Sequence, residues 1–322
     1  MGRDGSRPTF ALSGRRLALL RMPTARYTRS VPYTVPESFR QFSSNLTLTG
    51  LQESTVSTRQ NNIRSAMESG LSVLDTFLTG SYRRHTLIAP LKDADIDIFI
   101  VLGVDYYHRY NGQNGGQAGL LDLVKRTLRR TYTETPDISR NGQAVTIRFT
   151  DFAADVVPGF YRNGGGYLIP NCITQTWLST DPKRHVELVA AANQTHNGDL
   201  VPLIRMLKAW NRSHSAFFRS FHMEILALQA LTNVQITDYS SGVRYFFDKA
   251  RTLVATQNPD PAGYGGDVGG YIDTPAKVTE AVTRFQRAYD AAVRAEGLVT
   301  RSPSEAIAAW RSLLGDYFPA YG

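Results

Sequence analysis

Cysteine is almost missing from this chain of 322 residues. Cys172 is the only one, which excludes an internal disulfide and any cysteine-rich zinc site. A reducing cytoplasm is the simplest compartment for such a chain. No run of eighteen apolar residues occurs, so no transmembrane helix is expected. No internal repeat is visible, which removes solenoids and arrays. The six histidines (His85, His108, His185, His196, His214 and His222) are scattered without metal-ligand spacing, and His185 and His222 read as structural. With 42% hydrophobic and 20% charged residues, the composition is that of a soluble globular protein. Its length allows one large core or two modest ones.

Charge of both signs is present, with 36 Lys and Arg against 28 Asp and Glu. The net charge is +8 and the isoelectric point near 9.6, values that suit a polyanionic partner such as nucleotides or nucleic acid. The excess sits at one end. Residues 1–40 carry Arg3, Arg7, Arg15, Arg16, Arg21, Arg26, Arg29 and Arg40 against Asp4 and Glu37. That stretch reads as a disordered basic arm, less well as a transit peptide, with Met22 an alternative start. Without it most of the net charge is gone, so charge alone is poor evidence for nucleic-acid binding.

The chemistry concentrates in three carboxylates and a turn. Residues two apart on a strand share a face, so Asp95 and Asp97 project together while Ile96, Ile98 and Ile100 point to a core. Asp93 also forms an Asp-x-Asp with Asp95. The apolar run begins only at Ile96, which puts Asp93 in the turn before the strand. A further apolar run, 145–149, leads to Asp155. Adjacent carboxylates repel, and a divalent cation relieves the repulsion. Mg²⁺ favours carboxylate and phosphate oxygens, and Mn²⁺ is able to substitute. Two such ions about 3.5–4 Å apart clamp both oxygens of an in-line phosphoryl displacement. Asp155 is also a candidate base toward a ribose hydroxyl. Upstream, Gly80-Ser81 reads as a turn whose hydroxyl and backbone N–H groups cradle phosphate. Together these residues point to nucleotidyl transfer.

Along the chain, Ile63, Met67, Leu71, Leu74 and Leu78 recur at helical steps. They predict a spine helix over about 52–78, roughly 40 Å long, with Gly80 as its terminal glycine. Residues 103–117 read as a loop and 120–132 as a helix; strands follow near 145–149 and 155–157. Asn163-Gly164-Gly165-Gly166 lacks a lysine and a following helix, so a hairpin turn is preferred to a phosphate loop. From Pro170 the pattern turns helical, with helices at 182–193, 200–212 and 217–231. The glycine-rich stretch 258–271 is a loop. Thr274-Pro275 and the capping box Ser302-Pro303-Ser304-Glu305 start two closing helices.

Gly80-Ser81-Tyr82-Arg83-Arg84-His85-Thr86 and Asp95-Ile96-Asp97-Ile98-Phe99-Ile100-Val101 resemble the bacterial relatives of cyclic GMP–AMP synthase and oligoadenylate synthetase. These are the cGAS/DncV-like nucleotidyltransferases of anti-phage signalling operons, within the polymerase-beta superfamily. Asp155-Val156-Val157-Pro158, Arg205 to Asn211, Ser220 to Glu224 and Asp260-Pro261-Ala262-Gly263 extend the resemblance, in the family's order, over about residues 45–300. It implies an α+β fold: a polymerase-beta-like lobe with a mixed sheet (41–170), a helical lobe (171–322) and a spine helix joining them. It also implies that Lys208 and Ser220 contact the donor triphosphate beside Gly80 and Ser81, and that Phe221 stacks on a base. The implied partners are nucleoside triphosphates (ATP, GTP or others) and operon-encoded regulatory proteins, without membrane or zinc. The zinc insertion of the animal DNA sensor has no counterpart, which argues against nucleic-acid activation without excluding it. His85 departs from the family's usual Gly before the Thr.

The expected activity is synthesis of a cyclic di- or trinucleotide. A linear oligonucleotide synthase or RNA nucleotidyltransferase would share the carboxylates. A non-catalytic nucleotide- or RNA-binding regulator would have no need of them.

Overall fold

The computed structural model describes residues 33–134 and 137–322; most of the expected basic arm, and Met22, lie outside them. The arm does not extend to residue 40. Thr34 caps helix α1 (Val35–Asn45) in a reciprocal box with Glu37, which satisfies donors a helix start otherwise leaves orphaned. Phe39 and Phe42 pack edge-on against Phe318, and Phe39 also against Trp310. Val35 and Phe39 therefore belong to a core.

The expected spine is shorter than its periodicity suggested. Helix α2 (Gly50–Glu68) has 19 residues, about 28 Å, and buries Val56, Ile63 and Met67. The chain then becomes strand β1 (Val73–Leu78). Short apolar runs suit either state; Val73, Thr76 and Phe77 favour the strand. The four-residue helix α3 (Gly80–Arg83) and a 3₁₀ turn (Leu91–Asp93) lead to β2 (Asp95–Leu102). The predicted loop after it contains helix α4 (Val104–Asn111), where Tyr107 packs on Phe160 and Trp177. Helix α5 (Gly116–Thr131) follows.

Strands β3 (Ile138–Asn141), β4 (Ala144–Arg148) and β5 (Ala153–Tyr161) complete a mixed sheet of order β1-β2-β5-β4-β3. Only β2 and β5 run parallel; the other pairs are antiparallel. Ile96, Ile98 and Ile100 join Leu120, Leu121, Val124 and Leu128 of α5 in one core. Alternation along β2 therefore turns Asp95 and Asp97 to the opposite face. The glycine stretch is the expected hairpin turn, joining β5 to β6 (Tyr167–Asn171). One more strand, β7 (Thr176–Thr180), precedes the helices.

The helical lobe contains α6 (Pro182–Thr195), α7 (Leu200–Ser213), α8 (Ser220–Ala230), α9 (Tyr239–Leu253), α10 (Pro275–Leu298) and α11 (Pro303–Leu314). Helix α9 was not anticipated; Asp238 caps it by accepting from the Ser241 backbone N–H. Of the box expected at Ser302, the half from the Glu305 N–H to the serine hydroxyl is made. Trp210, Phe246, Phe247, Phe285 and Trp310 centre a second core, and α1 packs into it. No helix among the described residues is long and apolar enough to cross a membrane.

Candidate active site

All eight residues singled out from the sequence (Gly80, Ser81, Asp95, Asp97, Asp155, Lys208, Ser220 and Phe221) line one cleft of about 430 Å³. Asp93 lines it too, from the 3₁₀ turn, so the strand pair is Asp95 and Asp97. Register brings in the third carboxylate. On the parallel strands Asp97 stands beside Asp155 and Asp95 beside Ala153. Thr146, opposite Asp155 on β4, donates its hydroxyl proton to Asp155 Oδ1 at 2.5 Å.

Crowding of like charges shows in the electrostatics. Burial, reinforced by the neighbouring Asp155 and Asp95, pushes the Asp97 carboxyl up to about 7, with Arg84 and Lys208 pulling the other way. Burial also raises Asp155, and the bond from Thr146 opposes that rise. A buried carboxylate beside others shifts in this direction unless a cation arrives. The donors are all oxygen, the preference of Mg²⁺, Mn²⁺ and Ca²⁺. Among the described residues no three His, Cys, Asp or Glu side chains form a ready-made metal site. The carboxylates share a wall without closing into a complete ligand set.

The turn facing them is built around Gly80. It does not end the spine helix, as the periodicity suggested; it follows β1 and opens α3. Its φ is +62°, and a Cβ there would lie 1.7 Å from Asp97 Oδ2. Any side chain would displace the central carboxylate. The Thr79 N–H donates to the Asp97 carbonyl (2.9 Å), and the Ser81 carbonyl accepts from the N–H groups of Thr86 (2.9 Å) and Leu87 (3.0 Å). His85 has φ +59°, a left-handed conformation that glycine adopts without steric cost. Its side chain is exposed and does not line the cleft.

The opposite wall comes from α7 and α8. Lys208 is buried, and its ammonium donates to the Thr86 carbonyl (2.8 Å) and to Glu224 Oε1 (3.1 Å). Arg84 donates to the same carboxylate, Nε to Oε2 at 2.7 Å and Nη2 to Oε1 at 3.3 Å. The two cations hold Glu224 down to about 2 despite its burial. Ser220 lies exposed at the start of α8. The Phe221 ring is already engaged: the Arg84 guanidinium lies 5.0 Å from its centroid and the His185 ring 4.9 Å. His185 is held in turn by Asp260 at 2.5 Å. His222 is buried against Tyr271, and burial lowers it to about 4. Both histidines thus have structural surroundings.

Sequence reasoning missed Thr146, Arg84 and Glu224. Thr146 is signalled only by its register, whereas Arg84 and Glu224 lay inside quoted motifs without a role. A second cavity, of about 450 Å³, is lined by Trp210, Arg284, Arg287 and Arg294 among others. None of the carboxylates on the sheet reaches it.

Comparison with known proteins agrees with this fold. The family described as the Second Messenger Oligonucleotide or Dinucleotide Synthetase domain matches residues 33–193. A cyclic AMP-AMP-AMP synthase from an Acinetobacter species is 26% identical over 309 residues, covering 89% of this chain and 86% of the relative. Among solved structures, CdnC of E. coli MS115-1 with ATP superposes with a TM-score of 0.72 at 18% identity, covering 90% of this chain and 100% of the other. The same protein in complex with HORMA-deltaN superposes at 0.71, also at 18% identity, covering 88% and 98%.

Proposed function

The chain belongs to the Second Messenger Oligonucleotide or Dinucleotide Synthetase family, and from that premise we propose that it joins nucleoside triphosphates into a cyclic di- or trinucleotide. The observation that carries the reading is the pairing of Asp97 with Asp155 on adjacent parallel strands, under a Gly80-Ser81 turn that tolerates no side chain at position 80. In each joining step a ribose hydroxyl oxygen bonds to the α-phosphorus of a second triphosphate. The bond from that phosphorus to the β-phosphate bridging oxygen breaks, and pyrophosphate leaves. A final intramolecular attack of the same kind closes the ring.

Asp155 is the candidate acceptor of the hydroxyl proton. Its Oδ1 is engaged by Thr146, a bond that orients the carboxylate. Asp95, Asp97 and Asp155 would hold Mg²⁺, with Mn²⁺ able to substitute; such ions supply Lewis-acid stabilisation of the phosphoryl oxygens. Mg²⁺ usually keeps waters and binds through one or two carboxylates plus substrate phosphates. Carboxylates that line a wall without forming a complete cage fit an ion that arrives with its triphosphate. Ser81 and Ser220 offer hydroxyls to the phosphates from the two sides of the cleft. The placement of Phe221 between Arg84 and His185 favours a packing role over base stacking.

The E. coli match solved with HORMA-deltaN supports control of this chain by a partner protein, and the family setting supports a role in anti-phage signalling. Labelled ribonucleotides, supplied singly and in pairs with Mg²⁺, test the reading. Product that resists phosphatase is expected. Phosphatase-sensitive product would make the enzyme a linear synthase, and no consumption of any of the four nucleotides would overturn catalysis itself.

A further inference from the structure

Two cations share one carboxylate beneath the cleft. Arg84 closes the helical turn begun by Gly80-Ser81, on the sheet side, whereas Lys208 belongs to α7 and Glu224 to α8, on the helical side. All three side chains are nearly closed to solvent, at 8%, 7% and 1% exposure. Each carboxylate oxygen is used: Oε2 by Arg84 Nε, Oε1 by Arg84 Nη2 and the Lys208 ammonium. Lys208 also reaches across to the Thr86 carbonyl, at the end of the loop that Ser81 holds closed.

The cluster is uneven in charge. One anion is bonded to two cations, so the cluster itself carries a surplus positive charge, which faces Asp97 across the cleft and lies next to Gly80, Ser81 and Ser220. A buried ammonium without a carboxylate partner loses its proton or leaves the interior; burial already lowers Lys208, and Glu224 is the main opposing influence. Truncating one partner of a buried ion cluster is far more disruptive than removing a surface pair.

We propose that Glu224 is a positioning residue of the phosphate site, its carboxylate holding Arg84 and Lys208 together across the two lobes so that their surplus positive charge meets a nucleoside triphosphate. The proposal rests on the reading of the cleft as a triphosphate site, and it gives Glu224 a role distinct from direct phosphate contact. A purely structural ion cluster would affect stability alone.

The experiment compares wild type with Glu224→Gln and Arg84→Lys. Binding of a non-hydrolysable ATP analogue is measured by calorimetry in Ca²⁺, product formation in Mg²⁺, and unfolding by thermal melts. For Glu224→Gln we expect about a tenfold weaker analogue Kd and a matching rise in KM with a smaller change in kcat; Arg84→Lys, which keeps the charge but loses the two-point hold, should show about threefold. Phe39→Leu, whose ring packs on Trp310 and Phe318 in the helical core, serves as the stability control and should lower the melting temperature without moving Kd. Unchanged or tighter analogue binding by Glu224→Gln overturns the proposal. If that variant does not fold, unchanged Kd and KM in Arg84→Lys overturn it instead. Should wild type bind the analogue but make no cyclic product, the assigned reaction fails while the binding arm still decides the role of Glu224.

Discussion

The two walls of the cleft solve opposite electrostatic problems. On the sheet side, Asp95, Asp97 and Asp155 stand together, and their only described hydrogen bond from a side chain is the one Thr146 gives Asp155. On the helical side, Glu224 is saturated by Arg84 and Lys208. The consequences diverge: Asp97 is pushed up to about 7, while Glu224 is held down to about 2. A buried carboxylate is costly in both places. One wall already carries its counter-charges; the other leaves them to be supplied. That contrast separates a wall whose carboxylate is paired within the chain from one whose carboxylates have no ion-pair partner among the described residues.

The strongest way to break the contrast is to remove the unpaired wall. Asp95→Ala with Asp97→Ala should lower product formation by at least about 10³-fold, while thermal melts of the metal-free protein hold or rise because repulsion is relieved. A variant retaining full turnover would sink the assignment of these carboxylates. Next in size is Gly80→Ala. Its methyl would meet Asp97 Oδ2 at 1.7 Å in a left-handed backbone, and a misplacement of about 1 Å costs on the order of 10²-fold in rate. Rates near wild type would mean that the turn has room to move.

Thr146→Val leaves Asp155 Oδ1 without its hydroxyl donor. We expect roughly a tenfold fall in kcat, equivalent to about 1.4 kcal/mol, with little change in KM; a pure KM effect would point to substrate binding instead. The smallest effect expected is one of pH. Asp97 ionises near 7 in the folded chain against 3.8 for the free group, so the folded state holds its proton over that window and the unfolded state does not. Its contribution to stability is thus full below 3.8 and lost as pH rises through about 7. Metal-free protein should melt roughly 2–4 °C lower at pH 8 than at pH 5 from this source, and Asp97→Asn should remove most of that difference. An equal pH response in the variant would assign the effect elsewhere.

Much of this site could be read along the chain because strand chemistry is local. Alternation alone puts Asp95 with Asp97 and away from Ile96 and Ile98, and Asp93 indeed lies in the preceding turn. The helical periodicity does not hold over 71–78. Leu71, Leu74 and Leu78 fit a helical step, but pairing with β2 makes 73–78 a strand. Residues 35–40 were assigned to an arm by their charge setting, although Phe39 and Phe42 complete a distant core with Trp310 and Phe318. Both errors arise where a partner far along the chain outweighs local pattern.

The sequence by itself determined the donor types and the shared face of Asp95 and Asp97, which follow from side-chain chemistry and short-range spacing, and its motifs carried the family resemblance. Only the tertiary structure decided that Asp155 stands beside Asp97, that Thr146 orients it, and that Glu224 binds Arg84 and Lys208 across the lobes. Strand register and the meeting of α3, α7 and α8 bring together residues 9 to 140 positions apart. Such contacts form because whole faces are buried together, and local spacing cannot specify them.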